Sequence, residues 1–233
     1  MFEHLTVLSA GLRTYLRLPS RTHLLPLGGP AFPPDEKSFD ALKILYVGTF
    51  HRRNITDTIH AVARFCQVYG GRIAIQYTLV GFGSGEEVED IERTIVALEM
   101  ENHVSYVGAV RYPELSSYFA RHNVGLSYVP MTAYYEHQPP IKTFEYLLSG
   151  MAVVATATKQ NALVIDDENG VLVDDNIEAV FRGLEHIFLH RTRYDSLAIQ
   201  RAAQKHSWES IVADNLIPYL NSLGSQAMVG HRG

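Results

Sequence analysis

The chain has 233 residues, 46% hydrophobic and 19% charged, with a net charge of −5 and a single cysteine, Cys66. That composition suits a folded globular protein of one large domain, or one domain plus an arm. It speaks against a nucleic-acid footprint, an intrachain disulfide and a membrane-crossing helix, since no apolar run approaches the ~18 residues of a span. Cys66 falls on a helix face as a packing residue, and the eleven histidines are scattered without metal-ligand spacing, so neither a metal nor a cofactor is expected.

Residues 1–40 differ from the rest. Met1 to Leu18 has room for one strand and one helix, and "LPSRTHLLPLGGPAFPPDEKSFD" is Pro- and Gly-rich, as in a connector. The start lacks the basic end and apolar core of a signal peptide. From Leu42 the pattern is regular. "KILYVG" is a short apolar run, a buried strand. Ile55, Ile59, Val62 and Cys66 then recur at helical spacing, with Asn54 or Thr56 placed to cap. "RIAIQYTLVGFGSG" is a second strand, and "EEVEDIERTIVALEM" a helix whose first-turn acids suit its dipole. "HVSYVGAV" is a third strand, "PELSSYFARH" a helix opened by Pro113, and "VGLSYVP" a fourth strand. "IKTFEYLLSG" is a helix beginning near Pro140 or Ile141 and closed by Gly150, followed by the strands "MAVVATA" and "GVLVDDN". The next helix has Asp175 and Glu178 at capping-box spacing. Helices fill most of the remainder, and residues 224–233 read as a disordered tail. Alternating helices and continuously apolar strands predict an α/β fold, a Rossmann-like parallel sheet flanked by helices, over residues 41–223.

Ligands of such sheets bind beyond the carboxyl ends of the strands. Three of those ends here carry a Val-Gly pair, at Gly48, Gly81 and Gly108, where glycine permits close backbone approach. The spacing of Gly81, Gly83 and Gly85 is neither a dinucleotide fingerprint nor a phosphate loop. Arg52 and Arg53 follow the first strand; they suit a diphosphate, or are two solvated surface arginines. The helix starting at Ile141 offers free amides to an anion. Lys142 stands in its first turn, where the dipole prefers an acid, and that local violation points to a bound anion. Glu145, one turn on, suits a ribose diol or pairs with Lys142. Tyr134 and Tyr135 are placed to line a sugar pocket or simply to pack. The acids at Asp166–Asn169 and Asp174–Asp175 read as turns and caps.

With those motifs in view, the chain resembles the C-terminal, donor-binding half of a two-domain (GT-B) retaining glycosyltransferase of the glycosyl transferases group 1 family. "LYVGTFHRRNITDTIHAVARF", "LVGFGSGEEVEDIERTIVALEMENHVSYVGAVRYPELSSYFARHNVGLSYVP", "PPIKTFEYLLSGMAVVAT" and "ENGVLVDDNIEAVFRGLEHIF" carry the resemblance over nearly the whole chain, and "HLLPLGGPAF" is similar to the family's inter-domain connector. The resemblance implies a UDP- or GDP-sugar donor, hexose transfer with retention and no bound metal. It implies a sugar or lipid-linked acceptor held by an N-terminal half outside residues 1–40, and work in polysaccharide, glycolipid or glycoconjugate synthesis, in the cytoplasm or at the inner membrane face. Self-association is expected of the exposed cleft face, and peripheral membrane contact of the full enzyme. By position, Glu145 would hold the ribose, Ile141 and Lys142 the diphosphate, Val110 the base, and Gly48 and Thr49 the first loop. The sequence departs from the family at three points. The family's N-terminal acceptor domain is not among these residues; His137 stands eight residues before Glu145, where a glutamate is expected, with Glu136 one position off; and Thr49 occupies an arginine's place while a later lysine falls near Asn54. Arg52 and Arg53 would supply that charge. The alternatives are a non-catalytic nucleotide-sugar-binding module that acts with a partner chain, and a sugar-nucleotide epimerase on the same two-domain plan.

Overall fold

The structure is a computed structural model that describes residues 4–139 and 141–230, and side chains as far as residue 223. In chain order it contains β1 (Thr6–Val7), α1 (Ala10–Tyr15), β2 (His23–Leu24), β3 (Ala41–Thr49), α2 (Ile55–Tyr69), β4 (Ala74–Phe82), α3 (Gly85–Ala97) and β5 (Val104–Tyr106). There follow α4 (Tyr112–Arg121), β6 (Val124–Ser127), α5 (Ile141–Leu148), β7 (Ala152–Thr156), β8 (Gly170–Val173), α6 (Ile177–Leu189), α7 (Ser196–Ala203), α8 (Trp208–Ile211) and α9 (Ile217–Gly230).

Strands β3 to β8 form one six-stranded sheet in the order β5-β4-β3-β6-β7-β8, and every pairing is parallel. The order reverses between β3 and β6, which is where such a sheet opens a crevice at its carboxyl edge. The inner strands β6 and β7 are buried throughout, as their unbroken apolar runs require. Right-handed crossovers put α2 and α3 on one face and α4 and α5 on the other; α6 returns onto α2, and α7 packs on α5. The fold is thus the expected Rossmann-like α/β architecture.

Local chemistry sets the element ends. Ser84 and Glu87 close a reciprocal capping box at α3. At α6 the cap is Asn176, whose side chain accepts from the Ala179 amide, and not the Asp175–Glu178 box expected from spacing. Asp175 instead accepts from the Met131 amide at 2.8 Å and so anchors the loop after β6. Asn54 precedes α2 in the left-handed region at φ 48° and makes no side-chain cap. Gly150 ends α5 at φ 79°, and a Cβ there would lie 2.8 Å from the Ser196 carbonyl.

Residues before β3 make a small β1-α1-β2 unit with its own parallel pair. The connector after it is held down. The Gly29 amide donates to the His206 carbonyl and the Gly29 carbonyl accepts the Trp208 amide, both at 2.9 Å, and the Gln200 side-chain amide donates to the carbonyls of Phe32, Pro33 and Leu148. At the other end of the chain, the segment expected to be a tail from residue 224 continues α9 to Gly230. Residues 231–233 lie outside the described residues, as do Met1 and the Pro140 start considered for α5. Among the described residues, no helix is long and apolar enough to cross a membrane.

Candidate functional site

A cavity of 460 Å³ opens at the carboxyl end of the sheet, at the switch between β3 and β6. Its floor is Val47, Gly48 and Thr49 of β3; its walls are Arg53, Tyr112, Val129, Tyr135 and Gln138, together with Ile141, Lys142 and Glu145 of α5.

Helix α5 is locked over β3 before any charge is considered. Tyr146 is fully buried, and its hydroxyl accepts the Val47 amide at 2.9 Å. Gly125 of β6 gives it room, since a Cβ there would lie 2.3 Å from the Tyr146 ring. One turn earlier, Thr143 bonds Ser127 at 2.7 Å and Asn161 at 2.9 Å, in a buried and satisfied network. The start of α5 is therefore fixed, with its free amides at the cavity.

Lys142 is one turn before Tyr146 and swings over β3. Its ammonium sits 3.9 Å from the centre of the Tyr46 ring. It is buried and has no hydrogen-bond partner among the described residues. Gly48, at φ 145°, provides the seat: a Cβ there would lie 3.2 Å from the Lys142 nitrogen. Burial, and then the charge of Arg53, hold the Lys142 pKa well below its ordinary value, while the Glu145 charge raises it. Glu145 is 8% exposed; burial raises its pKa and the Lys142 charge opposes that. The two make no ion pair within 4.0 Å, so the pairing open to them on sequence grounds does not form. Arg53 completes the set. Its Nε and Nη1 are buried without partners.

The structure thus gathers Gly48, Thr49, Arg53, Ile141, Lys142 and Glu145 at one cavity. Six other candidates stand outside its lining. Arg52 is exposed in the loop after β3, its amide bonded to Glu87 at 3.3 Å. Gly81 is a packing glycine, for a Cβ would fall 1.8 Å from the Gly48 carbonyl. Gly108, at φ 75°, accepts the Gly81 amide at 2.9 Å, and Val110 packs on the core edge. Glu136 turns to Lys159, 3.8 Å away. His137 is packed under α1, where its carbonyl accepts from Ser9 at 2.9 Å and its ring meets Tyr15. Tyr134 is 58% exposed and Tyr135 half-buried. Sequence reading missed Tyr46, hidden inside an ordinary apolar strand, and Tyr112, which reads as a helix-opening residue beside Pro113. No group of three or more His, Cys, Asp or Glu among the described residues could hold a metal ion.

Comparison with known proteins fits this geometry. A family model described as Glycosyl transferases group 1 matches residues 41–189, the whole sheet and its helices. The chain belongs to that family. None of the curated proteins matches the sequence. Among solved structures it is similar to sucrose-phosphate synthase from Thermosynechococcus elongatus, at 22% identity and a TM-score of 0.70 over 99% of this chain and 59% of that one. A glycosyltransferase from Rickettsia africae gives 15% and 0.72, over 94% of this chain and 63% of that one. Anabaena HepE, solved in complex with UDP and glucose, gives 17% and 0.62, over 78% and 49%. At these identities the likeness concerns the fold, and the chain spans less than two thirds of each of the three.

Proposed function

We propose that this chain is the C-terminal, donor-binding half of a retaining GT-B glycosyltransferase. It binds a UDP- or GDP-hexose, and the transfer waits on an acceptor-binding half. The single observation that carries this reading is that two basic side chains with buried nitrogens lacking hydrogen-bond partners, Lys142 and Arg53, line the same cavity as the first turn of α5. Unpaired buried cations are costly to a fold. A diphosphate would satisfy both, together with the helix dipole. Glu145, beyond them on α5, accepts from the ribose diol.

In this reading catalysis is electrostatic. As the bond between sugar and phosphate oxygen breaks, negative charge grows on the departing diphosphate, and Lys142, Arg53 and the α5 amides stabilise it. No base from this half is required. That similar folds include HepE, whose structure holds UDP and glucose, agrees with the donor class. Titration of the chain with UDP, GDP, UDP-hexoses and GDP-hexoses tests the proposal. Binding of one nucleotide series is the expected result, and binding of neither overturns it.

One observation favours a second reading. Glu136 faces Lys159 and His137 lies under α1, so no acid from that stretch reaches the cavity. A nucleotide-sugar-binding subunit without catalysis would need none. Donor binding with no sugar transfer, even when the chain is joined to an acceptor-binding half, would support it.

A further inference from the structure

Arg53 is the one candidate cation that a loop, rather than an element, delivers to the cavity. It follows Arg52, whose φ of 54° is left-handed, and it precedes the equally left-handed Asn54. A long side chain on such a turn has many rotamers and loses entropy when it is ordered. The structure shows what orders it. The central carbon of the guanidinium lies over the ring of Tyr135, 4.1 Å from its centre. Tyr135 comes from a different segment, the loop between β6 and α5. That loop is itself anchored: Met131 bonds Asp175 at 2.8 Å, the Tyr135 amide donates to the Thr132 carbonyl at 3.0 Å, and Tyr134 packs edge-on against Tyr135 at 5.0 Å.

We propose that Tyr135 is a positioning residue for the diphosphate site: its ring face holds the Arg53 guanidinium so that the guanidinium's edge meets phosphate. Stacking occupies only the face of the fork. Nε and Nη1 are left buried without partners. A fork to phosphate oxygens pairs Nη2 with either Nε or Nη1, so each open nitrogen belongs to one edge of the guanidinium. Because the ring comes from the loop that leads into α5, one contact sets the distance between Arg53 and the amides of α5. The inference rests on the donor-binding reading and adds to it a residue whose side chain need not touch the ligand.

The test uses calorimetry of the full chain with UDP and GDP, and ligand-observed NMR with uridine and guanosine. Tyr135→Leu should weaken binding of whichever nucleotide the parent takes by about threefold to thirtyfold, the range expected for a partly desolvated cation–π contact. Tyr135→Phe should bind as the parent does. Nucleoside binding, which reports the pocket without its phosphates, should lose less than nucleotide binding does in Tyr135→Leu. In an Arg53→Ala background, Tyr135→Leu should have no further effect. Three results would overturn the inference while leaving the nucleotide reading intact: unchanged nucleotide affinity in Tyr135→Leu, an equal loss in Tyr135→Phe, or an undiminished loss in the Arg53→Ala background. A parent chain that binds neither UDP nor GDP would overturn the donor-binding reading, and this inference with it.

Discussion

The two ends of the sheet treat buried polar groups in opposite ways. At the amino end most are spent on the fold, the Tyr194 hydroxyl being the exception among the described residues. The Lys37 ammonium closes the end of α4 by donating to the Phe119 and Ala120 carbonyls at 2.9 and 3.1 Å, with Asp35 at 3.1 Å. Asn123 accepts the Lys43 amide and donates to the Ser38 and Ala41 carbonyls. His122 bonds Tyr118 and Thr78. At the carboxyl end the Lys142 Nζ and the Arg53 Nε and Nη1 are just as enclosed, yet they have no partners among the described residues. The same chain satisfies one set and leaves the other open, so the open set is not a failure of packing. On the donor-binding reading it is capacity held for a ligand.

That contrast predicts opposite mutational signs. Asn123→Ala should give the largest effect on stability, a loss of about 3 kcal/mol, because it strands one strand amide and two carbonyls. It should leave UDP and GDP affinity unchanged. Chemical denaturation alongside calorimetry checks both halves, and a mild cost at Asn123 would erase the contrast.

Lys142→Met should do the reverse. It keeps the bulk over Tyr46 and removes an unpartnered amine, so the empty protein should gain about 1 kcal/mol at neutral pH and lose nucleotide affinity. The sign has a pH signature. The folded Lys142 pKa lies well below its ordinary 10.5. Its stability contribution is therefore complete above that value and is lost as pH falls toward the folded one. The advantage of Lys142→Met should shrink as pH is raised toward 10.5, which denaturation curves at several pH values would show. A gain that grows with pH would contradict the assignment.

A smaller effect follows at the proton level. A diphosphate favours the charged ammonium, so binding should take up as much as one proton at Lys142, and less in Lys142→Met. Calorimetry in buffers of different ionisation enthalpy measures it. Equal uptake in parent and variant would place the titrating group elsewhere, with Glu145, whose pKa is raised by burial, the first to examine.

Much of this was legible in the sequence, for definite reasons. Continuous apolar strands alternating with amphipathic helices gave the parallel sheet, since period and burial follow from backbone geometry alone. Lys142 in a first turn was a visible breach of the dipole rule, and the cavity lies where that breach pointed. What stayed hidden depends on long-range contact. No local pattern tells that Tyr46 receives the lysine, that Arg53 rather than Arg52 turns inward, or that Glu136 faces Lys159. The α6 cap shows the same limit: Asp175 and Asn176 both have cap chemistry, and the tertiary bond to Met131 takes Asp175.

The most direct test of the central claim is Glu145→Gln, titrated with UDP and GDP at about pH 8, above the usual carboxylate range. The substitution keeps the size of the side chain and removes an ionised acceptor from the inner wall of the cavity. The account predicts a loss of ~1.5–3 kcal/mol, about tenfold to a hundredfold in affinity, with stability preserved or slightly improved. Binding as tight as the parent's would make Glu145 an ordinary buried helix residue and contradict the account.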